Sequence, residues 1–191
     1  MTRARHDGRE EEFVAFVQGS SARLLHVAWL LVGDRSRAED LVQTTFARVY
    51  AAWGRVRADG SAGGSAYAYA RRTLVNAHRD NGRRGRWREV PHAAPAPDQA
   101  VTDPTHGVDD RRGLVTALAR LSARERQVIV LRYYADLDEA AVAAELGITR
   151  GTVKSTASRA LAKLRDAPEL VVAPDRSGSE RAEPLSVGGV Q

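Results

Sequence analysis

Residues 91–108 place the strongest constraint on what this chain can fold into. They hold Pro91, Pro95, Pro97 and Pro104 among Ala, Asp and Gly, and carry no apolar periodicity. Proline has no amide donor and biases the residue before it toward extended backbone, so neither a helix nor a strand ladder passes through such a stretch. The stretch reads as a flexible linker. It divides the 191 residues into a unit of about residues 10–90 and another of about 109–167. Each is small, yet compact helical domains of about 55 residues upward fold alone. Residues 168–191, with Pro168, Pro174 and Pro184 among Gly, Ser and charges, read as a disordered tail.

Both units are helical by period. Residues 1–12 mix both charge signs and read as a fraying lead-in. Phe13, Phe16, Val17, Leu24, Leu25, Ala28, Trp29 and Val32 then recur at helical spacing until Gly33-Asp34 breaks the run. Ser36 and Glu39 fit a capping box that opens a second helix, with Leu41, Val42, Phe46, Val49 and Tyr50 on its buried side. Gly54–Gly64 reads as a Gly/Ser loop. A third helix follows from Ser65 or Ala66 to about Gly82, with Tyr69, Thr73, Leu74 and Ala77 available for packing. The second unit reads as a helix over Leu114–Arg120, a capping box Ser122–Glu125 opening a helix to Tyr134, and two more helices. No alternating segment calls for a strand, so the expected fold class is all-α: two small helical domains, the second a helix-turn-helix.

Composition removes several functions. With no Cys there are no disulfides, thiolate ligands or cysteine nucleophiles. The five His lack metal-ligand spacing, and no nucleotide loop or nucleophile–base arrangement occurs. Hence no catalytic residue, metal or cofactor is expected, and the chain reads as a non-enzyme. The longest apolar stretch, Leu24–Val32, is too short to span a bilayer, and no signal segment opens the chain, so a cytoplasmic location without membrane insertion is expected.

The cations are clustered. Residues 71–88 carry Arg71, Arg72, Arg79, Arg83, Arg84, Arg86 and Arg88 against Asp80 alone, and residues 147–165 carry Arg150, Lys154, Arg159, Lys163 and Arg165 with no acid. Two basic patches on a mildly acidic background suggest a polyanion held at two points. The second patch lies on the most specific local pattern. Asp138 can cap a helix through Leu146, Gly147 can make a tight turn, and Thr149 can cap a helix to about Arg165. Val142, Leu146, Ile148 and Val153 fill the angle between the two helices, and small Ala143 lets them approach. That is helix-turn-helix chemistry, in which the second helix enters the major groove. Val153, Ala157, Leu161 and Leu164 fall inward, which leaves Arg150, Thr152, Lys154, Ser155, Ser158 and Arg159 outward. A plain helical hairpin with a solvated face would mix charge signs, and this one does not. In the first patch Arg72, Asn76, Arg79 and Arg83 recur at three- and four-residue steps on one helix face. Cations there can follow phosphates, an amide can read a base edge, and aromatics can support an unstacked base.

The run Ala38–Phe46 (AEDLVQTTF), the Arg/Asn-rich helix through Arg84, and the run Leu146–Lys154 (LGITRGTVK) together resemble the sigma-70 family. They are closest to its two-domain extracytoplasmic-function group in the actinobacterial style. The resemblance covers about residues 10–166 and implies a transcription initiation factor. Glu39, Asp40 and Gln43 would dock on the β′ clamp helices of RNA polymerase core. Tyr69, Arg72, Asn76, Arg79, Asp80, Arg83 and Arg84 would recognise and hold the melted −10 element. Arg150, Thr152, Lys154, Ser155, Ser158 and Arg159 would read the −35 element, with the β flap as a further polymerase contact. An anti-sigma factor is a further partner the resemblance allows. Tyr69 stands where the common pattern has Trp, Asp138 replaces a usual Ser cap, and the Pro-rich tail lies outside the two-domain pattern.

Two alternatives stay open on the residues alone. One is an independent dimeric helix-turn-helix regulator, which leaves the first basic patch and the Asp40/Gln43 face without a task. The other is a small serine recombinase, which needs an α/β catalytic unit before its helix-turn-helix.

Overall fold

The computed structural model of the chain describes residues 2–59, 66–83 and 108–170, and among these every regular element is helical. The first unit is built from α1 (Thr2–Val32), α2 (Arg35–Asp59) and α3 (Ala66–Arg83). The second holds α4 (Val108–Ala119), α5 (Ala123–Ile129) running into a π-helical turn (Val130–Tyr134), then α6 (Glu139–Leu146) and α7 (Arg150–Arg165). Pro168–Leu170 add one 3₁₀ turn packed on α4, so ordered chain extends past residue 167 into the expected tail. The expected linker 91–108, apart from its last residue Val108 at the start of α4, and the rest of the tail lie outside the described residues.

Several local expectations change for physical reasons. The helix expected from Phe13 starts at Thr2, where a fraying lead-in was expected. Gly33 ends it at φ 75°, its amide donating to the Trp29 carbonyl at 2.7 Å. The second helix is capped by Asp34, not Ser36. The Asp34 carboxylate accepts the Arg37 amide at 2.8 Å, while Glu39 reaches Arg35 at 2.9 Å instead of closing a capping box. An aspartate two residues upstream takes the orphan amide first. The helix also runs through Gly54 to Asp59, overriding the loop expected from Gly54. One helical Gly costs only about 1 kcal/mol, and the buried Trp53 and Val56 on either side outweigh it. In α3, Leu74 and Ala77 are buried as expected, but Tyr69, also expected to be available for packing, is 42% exposed.

The first unit closes around Leu24, Leu30, Leu41, Val49 and Leu74, with an aromatic cap in which Phe13 and Phe16 meet Trp53 at centroid distances of 5.1 and 5.0 Å. The second unit buries Leu118, Val128, Leu131, Leu146 and Val153. The buried cluster is continuous across both units, with α1 packed against α5 and the π-helical turn. Two units of this size each bury a modest share of their surface, so packing them together adds core that neither has alone. The stretch Gly8–Val32 is long and apolar enough to cross a membrane by length and composition, unlike Leu24–Val32 taken alone. Its most apolar part, Leu24, Val27, Ala28, Leu30 and Leu31, lies inside this core.

Charge at the junction generates a pH dependence. Burial, then the Arg126 guanidinium of α5, lower the pKa of His78 on α3 from 6.5 to about 4. The folded state therefore prefers neutral imidazole. His78 contributes its full stability above pH 6.5 and loses it as pH falls toward 4, because the unfolded chain takes up the proton first. We predict that stability to urea falls between pH 6.5 and 4 by roughly 1 kcal/mol per pH unit, and that His78→Asn flattens this slope. An equal slope in the variant would contradict the assignment. Glu125 acts at lower pH: the Lys163 ammonium and Ser122 bring its carboxyl down to about 2, so its contribution is lost only as pH falls below 4.5.

Candidate nucleic-acid interface

The helix-turn-helix is built by three local devices. Asp138 caps α6, its carboxylate accepting the Ala141 amide at 2.7 Å. Gly147 adopts φ 64°, and its amide and that of Ile148 both return to the Ala143 carbonyl. Thr149 then caps α7, its hydroxyl accepting the Thr152 amide at 3.1 Å and meeting the Thr152 hydroxyl at 2.8 Å. Val142, Leu146 and Val153 are buried in the angle, Ala143 is buried between the helices, and Ile148 is half-buried.

Helix α7 presents one wet face. Arg150, Thr152, Lys154, Ser155, Ser158 and Arg159 are all exposed. Val153, Thr156, Ala157 and Ala160 are buried, while Leu161 and Leu164 are half-buried. The helix is pinned at its far end, where the Lys163 ammonium donates to both oxygens of Glu125 at 2.8 and 2.9 Å. Glu125 is itself fixed by the capping box with Ser122. The exposed face of α7 is thus braced against α5.

On α3, Arg72 and Asn76 are exposed and Tyr69 stands out beside them. Arg79 and Asp80 are half-buried and already engaged: Arg79 Nη1 donates to the Leu146 carbonyl at 3.4 Å, and Asp80 lies 3.7 Å from Arg48. Arg84 and the side chain of Arg83 lie outside the described residues. On α2, Asp40 and Gln43 are exposed, whereas Glu39 is half-buried and paired with Arg35.

Residues 16–87 match the family model for sigma-70 region 2, and residues 117–166 match that for sigma-70 region 4. The RNA polymerase sigma-E factor of Streptomyces avermitilis is 39% identical over 160 residues, 83% of this chain and 86% of that protein. The ECF RNA polymerase sigma factor SigL of Mycobacterium tuberculosis is 36% identical over 148 residues, 76% of this chain and 82% of its own length. The chain belongs to the sigma-70 family, in its extracytoplasmic-function group. Among solved structures, the sigma factor RpoE of Bartonella quintana, solved with the anti-sigma factor NepR, is similar with a TM-score of 0.62 at 26% identity, over 85% of this chain and 99% of that one. CnrH, solved with the cytosolic domain of CnrY, shares the fold with a TM-score of 0.56 at 21% identity.

Within this sigma factor, region 2 holds α2 and α3 and region 4 holds the helix-turn-helix. The serine-recombinase alternative fails, because the described residues of the first unit are helical. Sequence reasoning missed the residues that join the two regions. Arg71, counted there only among the cations of the first basic patch, is buried and forked onto Glu145 of α6. Arg126 donates to the Leu31 carbonyl across the junction. A buried position for Arg71 is visible in hindsight, since it falls on the stripe of Leu74 and Val75 and not on that of Arg72 and Asn76.

Gly147 supplies a direct check on the turn. A Cβ there would meet nothing within 4 Å, so any cost of substitution is backbone strain and not a clash. We predict that Gly147→Ala destabilises the sigma factor by about 1–2 kcal/mol in urea unfolding, the penalty of left-handed backbone for an L-residue. A neutral or stabilising result would contradict the positive φ.

Proposed function

We propose that this sigma factor binds core RNA polymerase and divides promoter recognition between its two regions. Exposed Asp40 and Gln43, with Glu39 beside them, would dock on the β′ clamp helices, and region 4 would meet the β flap. The face with Tyr69, Arg72, Asn76, Arg79, Asp80, Arg83 and Arg84 would hold the opened −10 strand. The face with Arg150, Thr152, Lys154, Ser155, Ser158 and Arg159 would read the −35 element in the major groove. The observation that carries this reading is the acid-free, exposed face of α7 following a capped tight turn, in one chain with an exposed amide–arginine face on α3.

Its action is binding, not bond chemistry. Each DNA-reading face alone binds weakly, mostly through phosphates. Joining both to polymerase raises their effective concentration over one promoter. Capturing an unstacked base offsets part of the few kcal/mol needed to expose it. Phosphodiester synthesis belongs to polymerase, so the sigma factor is no enzyme, and it works in the cytoplasm where polymerase meets the chromosome. The domain limits are the expected ones of about residues 10–90 and 109–167, widened by the start of α1 before residue 10, by Val108 in α4 and by the Pro168–Leu170 turn on α4, with the linker between them. An anti-sigma factor is a fitting further partner, since a similar solved sigma factor is bound to one.

Two measurements test the assignment residue by residue. Asp40→Arg should weaken capture of core polymerase at least tenfold with helical content unchanged, and unchanged capture by a folded variant would remove α2 from the docking surface. Asn76 is an amide between cations, suited to a base that is exposed only after melting. Asn76→Ala should therefore reduce permanganate reactivity of −10 thymines more than it reduces the −35 footprint. Equal loss of both signals, or normal −10 reactivity, would return Asn76 to a structural role.

A further inference from the structure

The outward face of α7 offers fewer free hydroxyls to DNA than its sequence carries. Thr149 caps the helix by accepting the Thr152 amide at 3.1 Å, and the same Thr149 oxygen lies 2.8 Å from the Thr152 hydroxyl oxygen. Either hydroxyl can donate across that gap, and in both cases the Thr152 oxygen is turned back on the cap. Three residues on, the Ser155 hydroxyl donates to the Thr152 carbonyl at 3.2 Å. A hydroxyl has a single proton to give, so that of Ser155 is already engaged within the helix.

With its oxygen fixed on Thr149, Thr152 has one other group to show. Atoms on Cβ sit in staggered wells about 120° apart. The γ-methyl therefore points away from the cap contact, on a residue that is exposed. Helical period puts Thr152 on one edge of the wet face, in line with Ser155 and Arg159, and puts Arg150 on the other edge. Gly151 falls between them, at the middle of that face. A Cβ at Gly151 would meet only the Thr149 hydroxyl oxygen at 3.9 Å, an ordinary contact, so packing within the protein does not call for a glycine there. Bare backbone at the centre of the first turn lets another surface come close to the helix. Whatever lies there is brought against the Thr152 methyl.

The first residues of a recognition helix are the ones that meet base edges. In the major groove thymine alone among the four bases shows an apolar group, its C5 methyl, and a threonine methyl is one of the side-chain groups that contact it. Resting on the function proposed above, we propose that Thr152 is a specificity-determining residue of the −35 interface, recognising one thymine by methyl–methyl contact while its hydroxyl takes no part in base reading. Thr149 then serves recognition as well as capping, because it is the group that turns the Thr152 oxygen away from the groove.

The test uses core polymerase carrying the full chain, on a labelled promoter duplex whose −35 thymines, on both strands, are replaced one at a time by deoxyuridine. That replacement removes the C5 methyl and keeps every hydrogen-bonding group of the base pair. At one position it should weaken binding about fourfold, the weight of one buried methyl group. Thr152→Val keeps a methyl and removes the hydroxyl, and should preserve this thymine-to-uracil ratio. Thr152→Ser keeps the hydroxyl and removes the methyl, and should bring the ratio to one, with helical circular dichroism unchanged in both variants. A ratio that survives Thr152→Ser or vanishes in Thr152→Val would overturn the proposal, as would equal binding of every deoxyuridine duplex. The function proposed above is read separately, from the preference of the unsubstituted chain for the intact over the scrambled −35 element.

Discussion

Arg126 is the side chain on which the joined architecture depends. Its Nε donates to the Leu118 carbonyl at 2.9 Å, Nη2 to Ala119 and Leu121 at 3.2 and 3.4 Å, and Nη1 to Leu31 at 3.0 Å. The first three acceptors are carbonyls at the end of α4 and the corner into α5, that of Leu118 also taking the Leu121 amide, and the fourth is in the last turn of α1. Helix ends leave four such carbonyls each, and a cation is favoured there by the helix dipole as well. One planar fork therefore closes a corner inside region 4 and seats that corner on region 2. Lysine, a point charge with three donors on one nitrogen, has no geometry to serve four carbonyls spread over two helices.

From this seat the rest of the junction follows. With α5 fixed on α1, α6 meets α3, and the charged groups found there are paired across the boundary: Arg71 with Glu145, and Arg79 with the Leu146 carbonyl. His78 lies in the same zone and is kept neutral by burial and by Arg126. The seam is thus mixed, apolar along α1 and polar along α3. Buried ion pairs offset much of their Coulomb energy by desolvation, so they align surfaces better than they weld them. A seam of this kind orients the regions well yet allows them to part.

The elements were legible in the sequence where local chemistry decides them. The Asp138, Gly147 and Thr149 signals and the Ser122–Glu125 box are each made within a few residues, and each appears in the structure as read. The outward face of α7 follows from helical period alone. Misreadings arose where a distant partner or a nearer competitor wins. Asp34 displaced Ser36 as cap, and buried Trp53 and Val56 carried α2 through Gly54. Arg71 read as one more charge of the first basic patch because its acid lies in the other region, and nothing local marks that pairing. The packing of region 4 on region 2 was illegible for the same reason. A Pro-rich stretch announces separate units but does not say whether they touch.

The most direct test of the sigma-factor assignment is run-off transcription with purified core polymerase and genomic fragments as template. The assignment predicts initiation from discrete start sites only when this chain is present, with loss of the product when either the −35 or the −10 element of a responding fragment is scrambled. Transcripts that are unchanged by adding the chain, or indifferent to both scrambled elements, would contradict it.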